Sequence, residues 1–406
     1  MTPRFNTMIC RYNEIATKGG NRSMFEAKLL ENIKFLCTPV CRLHAERIRG
    51  RIFIRKADGT AFEQEEMDSM TVRLKRCFGL DSFSFCAEGK PTVENIREMV
   101  GKTAPYYFEP KLERGGIVHF RSRARRSDKT FPMHSKDIEI DIASMLFRQF
   151  GEAVKIDLEN PDISIGIEVR EETAVVYYDI VKAAGGLPVG SNPPVLALLS
   201  GGIDSPVACN MLMRRGCHVD FLTFHSFPYT PRESVEKTAR LAAVLNQWQR
   251  PGTLFACNIS EVQKLIRDNC TEKFRTVLYR RAMMRIAAKL CEKYSLKAIV
   301  TGEAVGQVAS QTIENMGVIN RAADMLILRP LCGMDKNETI LRAKEIGTFD
   351  ISIEPMTDSC TVFAPGSPVL RAKLHTAEWE ESRIPEYEQA LQQAFENVET
   401  VNIPEI

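Results

Sequence analysis

The sequence has twelve cysteines in 406 residues, yet no two are spaced as a C-x2-C pair. That absence argues against a zinc ribbon or an iron–sulfur cluster. The string Cys37, Cys41, His44 has no second pair to complete a site, so these thiols read as small core residues. A disulfide framework is not expected in a chain of this size in a reducing compartment. No stretch is long and apolar enough to cross a membrane. The opening "MTPRFNTMICRYNE" lacks the apolar core of a signal peptide, so a cytoplasmic protein is expected. Neither sign of charge prevails: 54 Lys and Arg face 52 Asp and Glu, a net charge of +2. The overall balance therefore says little about partners. Internal repeats and low-complexity tracts are also missing.

What is present reads as a multidomain α/β chain, long enough for two or three domains. "FNTMICRY" and "RIFIR" alternate as strands around the amphipathic helix "NRSMFEAKLLENIKFL". A second unit is expected from residue 63, opening with "FEQEEMDSMTVRLKRCFGLDSFSFCAE", a helix and then a strand. "TVENIREMVGKTAPYYF" adds a helix and "GIVHFRSRARR" a strand that turns basic. "SKDIEIDIASMLFRQF" is a helix with Ser135 as its expected N-cap. "DISIGIEVREETAVVYYDIVK" alternates like a hairpin. Residues 184–194, rich in glycine and proline, read as a linker. From 195 to 406, apolar runs such as "VLALLS", "HVDFLTFH" and "KAIVTGE" alternate with helices. That pattern indicates a doubly wound parallel sheet covered on both faces.

One loop in this half carries the chemistry. "LLSGGIDSP" lies between the strand "VLALL" and the helical stretch "PVACNMLMRRG". Gly201 and Gly202 let the backbone approach a ligand closely. Their N–H groups and the start of the next helix converge on an anion, with Ser200 and Ser205 adding hydroxyls. A Walker A loop would need a lysine here, and none follows. The loop therefore suits a pyrophosphate that leaves. Asp204 beside a phosphate would repel it unless Mg2+ carried by the nucleotide intervenes, so no protein-only metal site is expected.

The pattern SGGxDS resembles the PP-loop ATP pyrophosphatases, which adenylate a substrate oxygen. "VTGEAVGQVASQT", "LYRRAMMRIAAKL", "RPLCGMDKNETI", "MTDSCTVFAP" and "RYNEIATKGGNRSMF" narrow this further. Together they resemble the tRNA 4-thiouridine synthetases (the ThiI family), from about Arg11 to about Pro368. The resemblance implies an N-terminal ferredoxin-like domain (1–62), an RNA-binding THUMP domain (63–183) and a PP-loop domain (195–406). It implies ATP-dependent conversion of uridine 8 of tRNA to 4-thiouridine, with a contribution to thiamine thiazole synthesis also open. The nucleotide contacts it implies fall on Leu198, Leu199, Thr223, Phe224, Arg280, Gly302 and Gln311. Many members carry His where Thr223 stands; a backbone contact survives that change. On charge grounds Arg280 suits a leaving pyrophosphate.

The resemblance places the working thiol at Cys360, in a loop of small polar residues. Sulfur would arrive as a persulfide supplied by a cysteine desulfurase, and a second thiol would resolve the disulfide. In relatives with a C-terminal rhodanese domain the persulfide sits there. This chain stops at Ile406, about 46 residues past Cys360, too short for that domain. Cys332 is the candidate for the second thiol. For RNA, Arg121, Arg123, Arg125, Arg126 and Lys129 form a basic run on a strand end and loop, suited to phosphates. A homodimer is expected by resemblance. Two other readings stay open: another PP-loop enzyme acting on RNA, and a non-catalytic tRNA-binding protein. The intact loop and Cys360 argue against the latter.

Overall fold

Every second residue of Thr7–Arg11 (β1) and Arg51–Lys56 (β3) must face a core, and the chain between them supplies the cover. The computed structural model describes residues 4–48, 50–356 and 362–405. Two compact units result, Met1–Gly186 and Leu187–Ile406.

In the first unit, helix α1 (Arg22–Cys37) precedes β2 (Leu43–Ile48) and β3; helix α2 (Gln64–Leu74) and strand β4 (Ser82–Gly89) follow. The helix–strand pair after Phe62 does not open a separate sheet. β4 pairs antiparallel with β1 over Thr7–Arg11, and α2 packs on α1. Then come α3 (Val93–Leu112), β5 (Val118–Arg126), α4 (Ser135–Phe150), β6 (Val154–Ile156), β7 (Ile163–Val169), β8 (Ala174–Tyr177) and β9 (Val181–Lys182). The strands form one sheet in the order β2-β3-β1-β4-β8-β7-β5-β6, with β9 on β4. β7 and β8 form the expected hairpin. Ser135 is not the cap of α4. His134 takes that position: its N–H donates to Asp137 Oδ2 at 3.1 Å, closing a reciprocal capping box, so the helix starts at Ser135 itself, one residue earlier than expected.

In the second unit, β10 (Leu187–Leu198) starts inside the glycine- and proline-rich stretch, so much of 184–194 is strand rather than free linker. α5 (Asp204–Arg214), β11 (Arg215–His225), α6 (Glu233–Asn246), β12 (Leu254–Asn258), α7 (Ser260–Asn269), α8 (Arg275–Tyr294) and β13 (Ile299–Val300) follow. The unit closes with α9 (Ile313–Asn320), β14 (Ile327–Leu328), α10 (Lys336–Ile346), α11 (Phe349–Ser352), α12 (Leu374–Ser382), α13 (Tyr387–Glu396) and β15 (Glu399–Val401). The sheet order is β14-β13-β10-β11-β12-β15. It is parallel except for β15, which runs antiparallel to β12 at the edge. β10 therefore lies between β11 and β13, where the winding reverses, and ligands of such sheets bind at the carboxyl ends of those strands.

Helix α8 anchors the core. Leu278, Tyr279, Ala282, Met284, Ile286 and Ala287 are fully buried. Arg281 is buried with them, so it does not join Arg280 at a site. Its guanidinium pairs with Glu381 at 2.7 and 2.9 Å and donates to the Val318 carbonyl at 2.6 Å. A charge that deep is tolerated only when paired in this way.

Candidate active site

Strand β10 ends at Leu198, and Leu199 continues its pairing by donating from its N–H to the Leu222 carbonyl at 2.9 Å. The chain then turns through Ser200–Ile203 into α5. Hydroxyls close this turn: Ser200 N–H donates to Ser205 Oγ at 2.9 Å, and Gly202 N–H to Ser200 Oγ at 3.4 Å. Ser205 is buried, so its hydroxyl shapes the loop from within.

The turn forms one wall of a cleft of about 410 Å3 at the carboxyl edge of the sheet. Leu198, Leu199, Ser200, Gly201, Gly202, Asp204 and Ser205 line it from the loop, Thr223 and Phe224 from the end of β11, and Arg280 from α8. Gly302 and Gln311 complete it from the segment after β13. Every nucleotide residue read from the sequence thus borders a single cleft.

Gly302 is there for a steric reason. A Cβ on it would lie 2.7 Å from Ser205 N and 2.8 Å from the Asp204 carbonyl carbon. Only glycine lets this segment press against the first turn of α5. Beside it, Glu303 is buried; its Oε2 accepts from Arg329 Nε at 2.7 Å and Thr301 Oγ1 at 3.0 Å.

Asp204, the first residue of α5, is held by two donors. Lys336 Nζ donates to Oδ1 at 2.7 Å and Gln307 Nε2 to Oδ2 at 2.8 Å. Lys336 and Gln307 were not singled out as ligands from the sequence. Their partner is 132 and 103 residues away in the chain, so no local pattern marks the contact. Lys237 of α6 also lines the cleft and carries no motif.

Cys360 lies outside the described residues. Met356, just before it in the sequence, lines the cleft, and Phe363, just after it, packs edge-on against Tyr229 with centroids 5.0 Å apart. Cys332 is half-buried, and its thiol lies 3.9 Å from the Glu303 carbonyl, behind the cleft wall. The described cysteines are all free. Most are plainly packing residues: burial pushes the thiols of Cys37, Cys257 and Cys291 up to about 12.

The basic run in the first unit splits into two groups. Arg121 donates to Ser164 Oγ and the Leu158 carbonyl, at 3.1 and 3.0 Å. Arg126 donates to the Phe131 carbonyl at 2.9 Å and meets His134 Nδ1 at 3.1 Å. Arg123, Arg125 and Lys129 are exposed.

With this geometry in view, three family models match: the thiamine biosynthesis protein ThiI over residues 190–385, the ThiI ferredoxin-like domain over 7–84 and the THUMP domain over 90–179. A probable tRNA sulfurtransferase of Thermoanaerobacter pseudethanolicus is 38% identical over 90% of this chain and 92% of its own. One from Moorella thermoacetica is 37% identical over 98% of both. The chain belongs to the tRNA sulfurtransferase family. A solved 4-thiouridine synthetase, crystallised as an RNA complex with bound ATP, superimposes with a TM-score of 0.88 at 33% identity, over 98% of this chain and all of that one. A Pyrococcus horikoshii protein shares the fold with a TM-score of 0.64 at 24% identity, over 84% of this chain and 99% of its own. Among the described residues no helix is long and apolar enough to cross a membrane, and no group of three or more His, Cys, Asp or Glu is placed to hold a metal.

Proposed function

We propose that this chain uses ATP to convert uridine 8 of tRNA to 4-thiouridine. The observation that carries the reading is the convergence of the SGGIDS turn, Arg280, Gly302 and Gln311 on one cleft at the winding reversal of the sheet. The likeness to a synthetase solved with ATP and RNA supports it.

In this reading the uridine C4 oxygen attacks the α-phosphorus of ATP and pyrophosphate leaves. The N–H groups of Gly201, Gly202 and the first turn of α5 receive the phosphates, and Arg280 offsets charge on the leaving group. Mg2+ brought with the nucleotide would be held by Asp204 and the phosphates, and would spread the negative charge between them. The terminal sulfur of a persulfide on Cys360 then attacks C4, and AMP leaves. Cys332 as thiolate attacks the inner sulfur, freeing the thiouridine sulfur and forming a Cys332–Cys360 disulfide. A small thiol reductant reopens it. Cys332 stands near the cleft wall, which supports that assignment.

A cysteine desulfurase supplies the persulfide, and the same sulfur can serve thiamine thiazole formation. Arg123, Arg125 and Lys129 take the main part in gripping tRNA phosphates, Arg121 and Arg126 a lesser one. The working protein is a dimer in the cytoplasm. Mass spectrometry of tRNA nucleosides from cells with and without the gene tests the activity. 4-Thiouridine should vanish with the gene and return with a plasmid copy; its persistence in the deletion strain would refute the reading.

A further inference from the structure

The phosphate turn has no lysine of its own, yet the fold brings one to it. Lys237 lies on α6, is buried to 4% exposure and lines the cleft. Its side chain crosses Gly201 so closely that a methyl group there would stand 3.2 Å from Cδ and 3.6 Å from Nζ.

The ammonium sits among neutral acceptors. Nζ donates to the Ser352 carbonyl at 2.9 Å and the Glu354 carbonyl at 2.7 Å. The Glu354 carboxylate is taken by Arg240, at 2.8 and 2.7 Å. A cation withdrawn from water with no hydrogen-bonded anion is costly. Burial accordingly lowers its pKa from the ordinary lysine value, opposed by the field of Glu354. An anion resting on the Gly201 and Gly202 amides would lie beside this charge and compensate it.

The carbonyls that Lys237 holds belong to the stretch running on to Cys360, six residues past Glu354. That stretch has a second tie to the turn: Ser352 Oγ donates to the Gly202 carbonyl at 3.3 Å. A phosphate on the turn would therefore share one ammonium with the backbone of residues 352–354.

We infer that Lys237 is a phosphate cation of this site and also a positioning residue, tying the backbone of residues 352–354 to the bound triphosphate. The inference rests on the reading of the cleft as an ATP site. Isothermal calorimetry on the full chain tests it, with an ATP analogue carrying a methylene between its α and β phosphorus atoms, and with AMP, both with Mg2+. Lys237→Met should weaken the analogue about tenfold or more, as for a lost charge-assisted hydrogen bond, and leave AMP binding unchanged. Lys237→Arg, which keeps the charge, should lose less than Met. Equal losses for analogue and AMP, or no loss in a folded Met variant, would overturn the phosphate role. If the Met variant does not fold, equal affinities of Lys237→Arg and wild type for AMP with a reduced affinity for the analogue support it, and parallel losses overturn it. For the positioning role, 4-thiouridine formed per pyrophosphate released should fall in Lys237→Met or Lys237→Arg; an unchanged ratio would overturn that role. Should the wild type bind the analogue no better than AMP, the reading of the cleft fails, and not the place of Lys237 within it.

Discussion

Asp204 meets Lys336 and Gln307 through its two oxygens, at 2.7 and 2.8 Å. Such a carboxylate serves a phosphate site by drawing cations to it. Asp204→Asn keeps the shape and the α5 turn but removes the charge. Pyrophosphate release should fall at least about a hundredfold, on the scale of losing one preorganised electrostatic group. Filter binding of tRNA should not change; near-normal pyrophosphate release would remove Asp204 from the chemistry. The neighbours Arg280 and Arg281 separate in the opposite sense. Arg280 lines the cleft and faces the leaving group, so Arg280→Ala should lower both kcat and kcat/KM for ATP-dependent pyrophosphate release. Arg281 is buried against Glu381, so Arg281→Ala should cost at least about 1.5–3 kcal/mol in a urea melt, because Glu381 loses its bidentate partner and keeps only Arg285, on Oε2 at 2.8 Å. A melt equal to the wild type would contradict the pairing.

At the scale of elements, the site depends on close approach. The segment after β13 reaches the first turn of α5 only because residue 302 has no side chain. Gly302→Ala should cost about 1–3 kcal/mol in stability, as overpacked backbone does, and should abolish nucleotide binding. Calorimetry with wild-type affinity would count against this close packing. On β5, Arg123→Ala with Arg125→Ala should lower the salt slope of tRNA binding by about one unit for each phosphate no longer neutralised. Arg126→Ala should change that slope less, because its guanidinium already serves Phe131 and His134. The sequence made legible what is local: the glycine turn, the basic strand β5, the alternation of β7 and β8, and the apolar runs of the parallel sheet. The family resemblance drew the nucleotide residues together, and the parallel sheet accounts for the ends of β10 and β11 among them, because strand ends in such a sheet share an edge. What stayed hidden depends on pairing between distant parts of the chain. Lys237 and Lys336 carry no motif, Arg281 looks like a surface residue until Glu381 is placed beside it, and β4 joins β1 through pairing that no local pattern announces.

At the scale of the whole molecule, an ATP step and a sulfur step should be separable. Cys360→Ser should still bind ATP and tRNA and release pyrophosphate, because serine ionises far less readily than a thiol but keeps its size. With a cysteine desulfurase and cysteine it should form no 4-thiouridine; with free sulfide it should recover part of the product. Cys332→Ser should fail with the desulfurase and recover with sulfide and reductant. Full activity of either variant with the desulfurase would remove that thiol from the pathway. The central claim is that one cleft adenylates a tRNA uridine so that sulfur can replace its oxygen. Its most direct measurement is a reconstitution of purified protein with Mg–ATP, sulfide and a tRNA transcript, followed by AMP, pyrophosphate and nucleoside analysis. The account predicts AMP, pyrophosphate and 4-thiouridine at position 8 in equal amounts, and none of them from Asp204→Asn. ADP and phosphate as products, or 4-thiouridine formed without ATP, would contradict it.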